Sequence, residues 1–279
     1  MPRALFLLVC LLFGLPSAAP AFTIVGFGDS LTCATCNDGS YLSLLNNLLD
    51  PDADLYFNAV AGRPSDDVLT AVNNFEAGTG IFDPVAGGAA VNLLPSQVDL
   101  AIVLAGTPDT FRNPDGFQGR PYSEAETVGD IAGMPDGITI FDSILASLMT
   151  AGVPTLLLLP PPVQDPCDNG ATPTLTCAEI DQRLADLSVA LAAAASAWSV
   201  PFIDLYDIFV NEPAFIILPP GAPGSLYDLD GVHLELLTGD QLVAEQVAAF
   251  LVPEPGLLAL LAAGAAALAV RRRPLAAGA

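Results

Sequence analysis

The chain has 279 residues, 52% of them hydrophobic, and a formal net charge of −23 at pH 7 with no lysine in the sequence. This length allows one sizeable α/β domain with processing segments at its ends. A surface so rich in negative charge repels phosphate groups, which argues against nucleic-acid binding and against anionic lipid headgroups as partners.

The first 21 residues have the organisation of a targeting segment. Arg3 precedes an apolar run over 4–15, and small residues with prolines follow up to Ala21. A charged start, an apolar stretch and a small-residue cleavage site are typical of a secretory signal peptide. A membrane anchor is the alternative, but the apolar run is short against the roughly 20 residues that span a bilayer. We therefore expect an exported protein whose mature chain begins at Phe22.

Residues 22–251 alternate between apolar, β-branched runs and segments with helical spacing of apolar residues. The runs predict strands over 22–28, 55–59, 97–105, 154–159 and 201–205, and the spacing predicts helices over 41–49, 66–76, 138–151, 178–198 and 238–251. Strands separated by helices favour a parallel sheet with right-handed crossovers. The predicted fold class is α/β, a three-layer doubly wound, flavodoxin-like domain with a five-stranded parallel sheet. A polar segment over 111–137 is longer than an ordinary connection and is either a lid or a simple insertion.

Several polar residues follow predicted strands at the edge where doubly wound sheets bind ligands. Ser30 ends the first strand in Gly28-Asp29-Ser30-Leu31, and Gly62 lies in the turn after the second strand. A serine in a turn more often caps a helix than performs catalysis. Near the C-terminus, Asp230 precedes His233, the only histidine, by three residues, so that the carboxylate can reach the imidazole.

Gly28-Asp29-Ser30-Leu31 resembles the first motif of the SGNH, or GDSL, serine hydrolases, a family of esterases and lipases. Residues 58–62 resemble the second block of that family, and Asp230 with His233 matches the spacing of its last block. The resemblance implies an SGNH-type domain over 22–251, with Ser30 as nucleophile, His233 as general base and Asp230 as the residue that orients it. It also implies that the N–H groups of Ser30 and Gly62 form the oxyanion hole, with no cofactor and no metal ion. The rival Gly-x-Ser-x-Gly elbow of α/β-hydrolases does not occur in the sequence.

The third block of the family departs from its usual pattern in this chain. The family has Gly-x-Asn-Asp, whose Asn side chain donates to the oxyanion, whereas this sequence has Gly106-Thr107-Pro108-Asp109. Loss of one such donor costs about 2.7–4 kcal/mol in transition-state stabilisation. Thr107 and Asn113 are candidates to replace it. The alternative function is a catalytically weak or inactive surface or matrix protein that keeps this fold and binds glycans.

Four cysteines remain once Cys10 is removed with the signal peptide: Cys33, Cys36, Cys167 and Cys177. An even number in an exported chain favours disulfides. Adjacent pairing, Cys33 with Cys36 and Cys167 with Cys177, is the preferred one of three connectivities. A four-cysteine zinc site is the alternative, but the second pair lacks the spacing of a zinc ligand pair. Redox chemistry at Cys33 and Cys36 is a further alternative.

The C-terminal segment 252–279 has three parts in a fixed order. Pro253-Glu254-Pro255 is followed by an apolar run over 256–270 and then by three arginines, 271–273. A buried core helix is the alternative, but three consecutive arginines after it fit a core poorly. The arrangement resembles a PEP-CTERM sorting signal, which implies an exosortase-type processing enzyme and a transient transmembrane helix. The resemblance implies a location at the bacterial cell surface, in the periplasm or in the extracellular matrix, and a small ester or acylated glycan as substrate.

Overall fold

The computed structural model describes residues 22–35, 39–49, 53–110, 140–165, 167 and 176–251. Within these ranges, seven strands form one sheet in the order β4-β3-β2-β1-β5-β6-β7. The strands are β1 (Thr23–Gly28), β2 (Asp54–Ala59), β3 (Ile81–Pro84), β4 (Val91–Asn92), β5 (Leu100–Leu104), β6 (Thr155–Leu159) and β7 (Phe202–Asp204).

Long helices connect the parallel strands, and shorter ones follow strand ends. The helices are α1 (Tyr41–Leu48), α2 (Ser65–Glu76), α3 (Thr107–Thr110), α4 (Ile140–Thr150), α5 (Cys177–Trp198), α6 (Leu205–Val210), α7 (Pro213–Ile217) and α8 (Gln241–Leu251). A 3₁₀ turn spans Pro95–Gln97, and a π-helical turn spans Leu236–Asp240. The long helix α5 begins at a capping box between Thr176 and Glu179 and ends at Ser199, whose φ is 56°. Such caps satisfy backbone groups that have no partner inside a helix.

The predicted doubly wound α/β fold is confirmed, with a correction to the number of strands. Strands β1, β2, β5, β6 and β7 are parallel in the order β2-β1-β5-β6-β7, which is the flavodoxin-like order. The prediction of five strands is wrong because β3 and β4 extend the sheet beyond β2 in antiparallel orientation. β4 has two residues and β3 ends in Asp83-Pro84. Neither segment has the apolar run of a central strand, and the Asp83-Pro84 end of β3 argues against a strand in the sequence, because both residues are depleted in strands.

The sheet lies between two apolar layers, because alternate residues of each strand face opposite sides. Val25 and Phe27 of β1 pack on one side with α2, α4 and α5. Ile24 of β1, with Ile102 and Leu104 of β5, packs on the other side with α1, α6 and α8. The carboxyl ends of the parallel strands therefore meet at one edge of a three-layer domain, where the predicted site residues lie.

None of the helices in the described ranges is long and apolar enough to cross a membrane. The predicted signal peptide (1–21), the segment 111–137 and the C-terminal segment 252–279 with its apolar run lie outside the described residues.

Candidate functional site

Ser30 lies in a tight turn directly after β1. Gly28 leaves no room for a side chain, since a Cβ atom there would lie 2.0 Å from the Leu104 carbonyl oxygen. Oδ1 of Asp29 accepts a hydrogen bond from Leu31 N–H at 3.0 Å, which closes the turn as Asx side chains commonly do. Among the described residues nothing accepts a hydrogen bond from the Ser30 N–H, so no described group competes with a ligand for it.

The side chains of Ser30, His233 and Asp230 form one chain of hydrogen bonds across 203 positions of sequence. His233 Nδ1 lies 2.5 Å from Asp230 Oδ2. Because a carboxylate can only accept, Nδ1 carries the proton and Nε2 is left as an acceptor. The Ser30 hydroxyl, with Oγ 3.0 Å from Nε2, donates to it. A hydroxyl, a base and an orienting carboxylate in this order can activate a serine as a nucleophile.

The Asp230 carboxylate also shapes the loop that carries His233. Its Oδ1 accepts the N–H groups of Val232 and His233, each at 2.9 Å. The Asp228 N–H donates to the His233 carbonyl at 2.9 Å and closes the loop from the other side. Main-chain hydrogen bonds therefore fix the imidazole relative to the carboxylate.

Pairing shifts the pKa values of both groups. Burial by itself raises the pKa of Asp230, but hydrogen bonds from His233 and from Val232 N–H bring it below its ordinary 3.8. Burial by itself lowers the pKa of His233, but the hydrogen bond and charge of Asp230, with the charges of Asp29 and Asp228, raise it above its ordinary 6.5. The site thus holds a charged carboxylate beside an imidazole that takes up a proton more readily than a free one.

A cavity of about 70 Å³ opens beside the Ser30 hydroxyl and the His233 ring. Three carboxyl groups line it, those of Asp228, Glu235 and Asp240. Asp240 is buried at the end of the π-helical turn; burial raises its pKa well above 3.8, the Tyr41 N–H opposes this, and the charges of Asp228 and Glu235 add to it. The carboxylates of Asp228 and Glu235 disfavour anionic ligands beside the serine, whereas burial favours the neutral form of Asp240.

Gly62 lies at the same sheet edge as Ser30, because β1 and β2 are parallel neighbours. Its φ of 68° lies in the left-handed region that favours glycine. Arg63 braces this turn by donating from Nη1 to the Asn58 carbonyl at 3.0 Å and to Asn58 Oδ1 at 2.7 Å. The Gly62 N–H donates to no acceptor within the described residues, and no hydrogen bond there joins Gly62 to Ser30.

The third turn of the edge, α3, carries Pro108 without a side-chain donor. Thr107 Oγ1 is buried from solvent and has no hydrogen-bond partner among the described residues. Asp109 accepts hydrogen bonds from Ser65 N–H at 3.1 Å and from Ser65 Oγ at 3.2 Å, which ties α3 to the start of α2. Asn113, the other candidate donor, lies outside the described residues.

Asp29 is a fully buried carboxyl directly behind the serine. Burial raises its pKa to about 7; the Leu31 N–H and the charge of His233 oppose this rise, and the charge of Asp109 adds to it. Its second oxygen, Oδ2, has no hydrogen-bond partner among the described residues. Neither Asp29 nor Asp109 was predicted as a site residue. Both lie inside the motif blocks, and this location was the signal in the sequence that could have identified them.

We expect Asp29 to make folding stability pH-dependent. Its pKa is higher in the folded state (about 7) than its ordinary 3.8, so its stabilising contribution is present at low pH and is lost as the pH rises towards 7. The free energy of unfolding of Asp29→Asn, taken relative to that of the wild type, should therefore rise by on the order of 2 kcal/mol as the pH increases from 5 to 8. Denaturant unfolding of both proteins at these pH values measures it.

The control is Asp83→Asn, at an exposed position on β3, which should follow the pH dependence of the wild type. If Asp29→Asn followed it as well, a raised pKa for Asp29 would be ruled out.

One of the two predicted disulfides, Cys167–Cys177, is present in the structure, with 5.6 Å between the two Cα atoms. Cys33 is also disulfide-bonded, and its predicted partner Cys36 lies outside the described residues. In the described part of the chain, no group of three or more His, Cys, Asp or Glu side chains could hold a metal ion.

Comparison with known families identifies the domain. A model of the GDSL-like lipase/acylhydrolase family matches residues 27–235. The chain belongs to this family. A second model, of the PEP-CTERM protein-sorting motif, matches residues 251–273, which indicates export to the cell envelope. No curated protein is significantly similar in sequence to this GDSL-family chain.

Solved structures with the same fold include several esterases. The aryl esterase of M. smegmatis is 20% identical, with 82% of this chain and 99% of that chain covered and a TM-score of 0.52. An acetyl xylan esterase is 16% identical, with 83% and 100% covered and a TM-score of 0.54. A carbohydrate acetylesterase from Sinorhizobium meliloti is 18% identical, with 82% and 99% covered and a TM-score of 0.50. At these identities the likeness supports the shared SGNH fold.

Proposed function

We propose that this GDSL-family protein is an exported serine esterase with Ser30 as nucleophile, His233 as general base and acid, and Asp230 as the orienting carboxylate. The observation that carries the proposal is the 3.0 Å hydrogen bond between Ser30 Oγ and His233 Nε2. His233 takes the hydroxyl proton as Ser30 attacks the ester carbonyl, and it then protonates the departing alcohol. Water hydrolyses the acyl-enzyme by the same route in reverse.

The oxyanion hole of this proposal consists of two main-chain donors, the N–H groups of Ser30 and Gly62. Both groups lie at the active edge, and neither donates to an acceptor in the described residues. The Thr107 hydroxyl, which is buried and has no hydrogen-bond partner among the described residues, is not one of the proposed donors. With Pro108 in the third block, the enzyme is slower than a three-donor relative by about 10²–10³-fold.

The proposed substrate is a short acyl ester, in particular an acetyl group on a neutral glycan. A cavity of about 70 Å³ has room for only a few water-sized groups, and the carboxylates of Asp228 and Glu235 that line it disfavour anionic substrates. Two fold neighbours that act on carbohydrate esters by name, the acetyl xylan esterase and the carbohydrate acetylesterase, support this choice by analogy.

The proposed maturation follows from the two ends of the chain. Residues 1–21 are removed as a signal peptide, and 22–251 form the hydrolase domain. An exosortase-type enzyme processes segment 252–279 near Pro253-Glu254-Pro255, after transient anchoring by the apolar run 256–270. Support comes from the sorting motif matched over 251–273.

A fluorophosphonate probe tests the proposed function directly, because it reacts with an activated serine. The purified protein should be labelled, peptide mass spectrometry should locate the adduct on Ser30, and p-nitrophenyl acetate should be hydrolysed faster than longer acyl esters. A folded protein that is not labelled but binds an acetylated glycan would overturn the esterase proposal. It would support the alternative glycan-binding function, which the missing side-chain donor at Pro108 favours.

We expect hydrolysis to be lost as the pH falls through the pKa of His233, since only the neutral imidazole acts as a base. That pKa lies above 6.5 because of Asp230, so kcat/KM should rise between pH 6 and pH 8. Asp230→Asn removes the charge, so it should lower this pKa and reduce kcat by about 10⁴-fold. A pH–rate profile of both proteins checks the direction, and an unshifted midpoint in Asp230→Asn would contradict it.

A further inference from the structure

Gln164 links the loop that carries His233 to a separate part of the domain. Its backbone N–H donates to the Gly231 carbonyl at 2.9 Å, two residues before the imidazole. Its side-chain Nε2 donates to the Phe215 carbonyl at 2.8 Å and to the Leu218 carbonyl at 2.7 Å. One half-buried residue therefore holds the catalytic loop at one end and the chain around the end of α7 at the other.

The residues just before Gln164 are held in place as well. The Tyr227 hydroxyl donates to the Pro162 carbonyl. Tyr227 also forms an antiparallel β-bridge with Leu234, which follows His233. The Val163 N–H donates to Asp181 Oδ1 of α5 at 3.3 Å, while the Tyr206 hydroxyl donates to Asp181 Oδ2 at 3.0 Å. Segment 162–164 is thus fixed between α5 and the loop of His233.

A disulfide three residues after Gln164 ties the chain to α5. Cys167 is bonded to Cys177, the first residue of that helix. Val163 and Cys167 share a small apolar cluster with Val232, which lies directly before His233. The cluster is completed by Ile180 and Leu184 of α5. Covalent, hydrogen-bonded and apolar contacts therefore converge on the residues that flank the imidazole.

We propose that Gln164 is a positioning residue for His233, acting through Gly231, and that the Cys167–Cys177 disulfide fixes the segment from which it acts. The inference rests on the proposed function for its kinetic consequence, but not for its structural one. Gln164 touches no reacting atom; it limits the positions that the Asp230–His233 pair can adopt relative to Ser30. A displacement of about 1 Å at such a site costs on the order of 10²-fold in rate.

The closing experiment uses the fact that His233 is the only histidine of the chain. In protein produced without a polyhistidine tag, its ring signal in an NMR titration reports one pKa. Gln164→Met keeps the length of the side chain and removes the two hydrogen bonds that the amide donates to Phe215 and Leu218, so the segment loses its side-chain anchor while the backbone hydrogen bond to Gly231 is kept. We expect it to lower the pKa of His233 by about half a unit, because the imidazole spends less time paired with Asp230. Asp29, Asp228 and Asp230, the carboxyl groups that act on His233, remain unchanged.

The matched control is Gln182→Met on the exposed face of α5, where the amide donates to Asp186 Oδ1 on the same helix at 3.0 Å. It should leave the pKa of His233 and the kinetics unchanged. Gln164→Met should lower kcat for p-nitrophenyl acetate about tenfold or more with KM changed less than about twofold. The double variant Cys167→Ala/Cys177→Ala should shift pKa and kcat in the same direction, and the combined triple variant should be less than additive.

A folded Gln164→Met protein with a lower Tm but an unchanged His233 pKa and kcat would overturn the inference, since the residue would then be merely structural. An unchanged His233 pKa and kcat in the Cys167→Ala/Cys177→Ala variant would show that the disulfide does not contribute to the position of His233. If the wild type hydrolyses no ester, the proposed function fails, but the NMR titration still decides the role of Gln164.

Discussion

Ser30→Ala should lower kcat/KM for p-nitrophenyl acetate by at least about 10³-fold, and it should abolish labelling by a fluorophosphonate. The substitution removes the only atom that the proposed mechanism makes covalent with substrate, while the loop geometry set by Asp29 and Leu31 stays intact. His233 retains its pairing with Asp230, so the folded state loses one hydrogen bond. Stopped-flow or steady-state kinetics with a matched thermal unfolding curve separate lost chemistry from lost folding.

The control is Ser96→Ala, at an exposed position in the 3₁₀ turn before β5, at the opposite edge of the sheet. It should match the wild type in kinetics and labelling. Equal rates for Ser30→Ala and wild type would refute the nucleophile assignment. His233→Ala should then be tested alone, since a residual rate that depends on the imidazole without the serine would point to a water nucleophile.

Pro108→Asn should raise kcat by about tenfold to a hundredfold, a gain of function at the position where the family pattern has its side-chain donor. Pro108 occupies the second position of α3, where the helix needs no N–H from it, so its replacement breaks no helical hydrogen bond. The new amide donates to the oxyanion only in the transition state, so kcat should rise more than KM falls. The gain stays below the full worth of a donor because an amide is introduced at a buried position.

Pro108→Ala is the matched control, since it frees the backbone in the same way but adds no donor. It should leave kcat within about twofold of the wild type, well below the gain expected from a restored donor. An equal gain in both variants would assign the effect to the backbone of α3. No gain in Pro108→Asn, with a slower Thr107→Val, would show that Thr107 already provides the third donor.

The sequence was sufficient to predict the central architecture. Strands β1, β5 and β6 are apolar runs of five or six residues, and the long helices have periodic apolar faces. Both patterns can be recognised from residues that are close together in the sequence. The antiparallel strands β3 and β4 could not be predicted in the same way. Val91–Asn92 is too short to show a period, and it is a strand only because Ile81–Pro84 lies beside it.

The motif residues of the site could be predicted from the sequence, but the contacts that position them could not. Gly28-Asp29-Ser30-Leu31 and the Asp230–His233 pair are short local patterns, and the parallel sheet implies that their loops share an edge. No pattern in the sequence marks Gln164, whose contacts to Gly231, Phe215 and Leu218 are long-range and run through backbone carbonyl groups that every residue possesses.

The sequence by itself determined the alternation of parallel strands with long helices, the motif residues and the C-terminal sorting motif, because each depends on neighbours within a few positions. Only the tertiary structure decided that a hydroxyl and an imidazole 203 positions apart lie within 3.0 Å. It also decided that burial raises the pKa of Asp29. Distances and burial of this kind depend on how all the layers pack around the sheet, which no single stretch of the chain encodes.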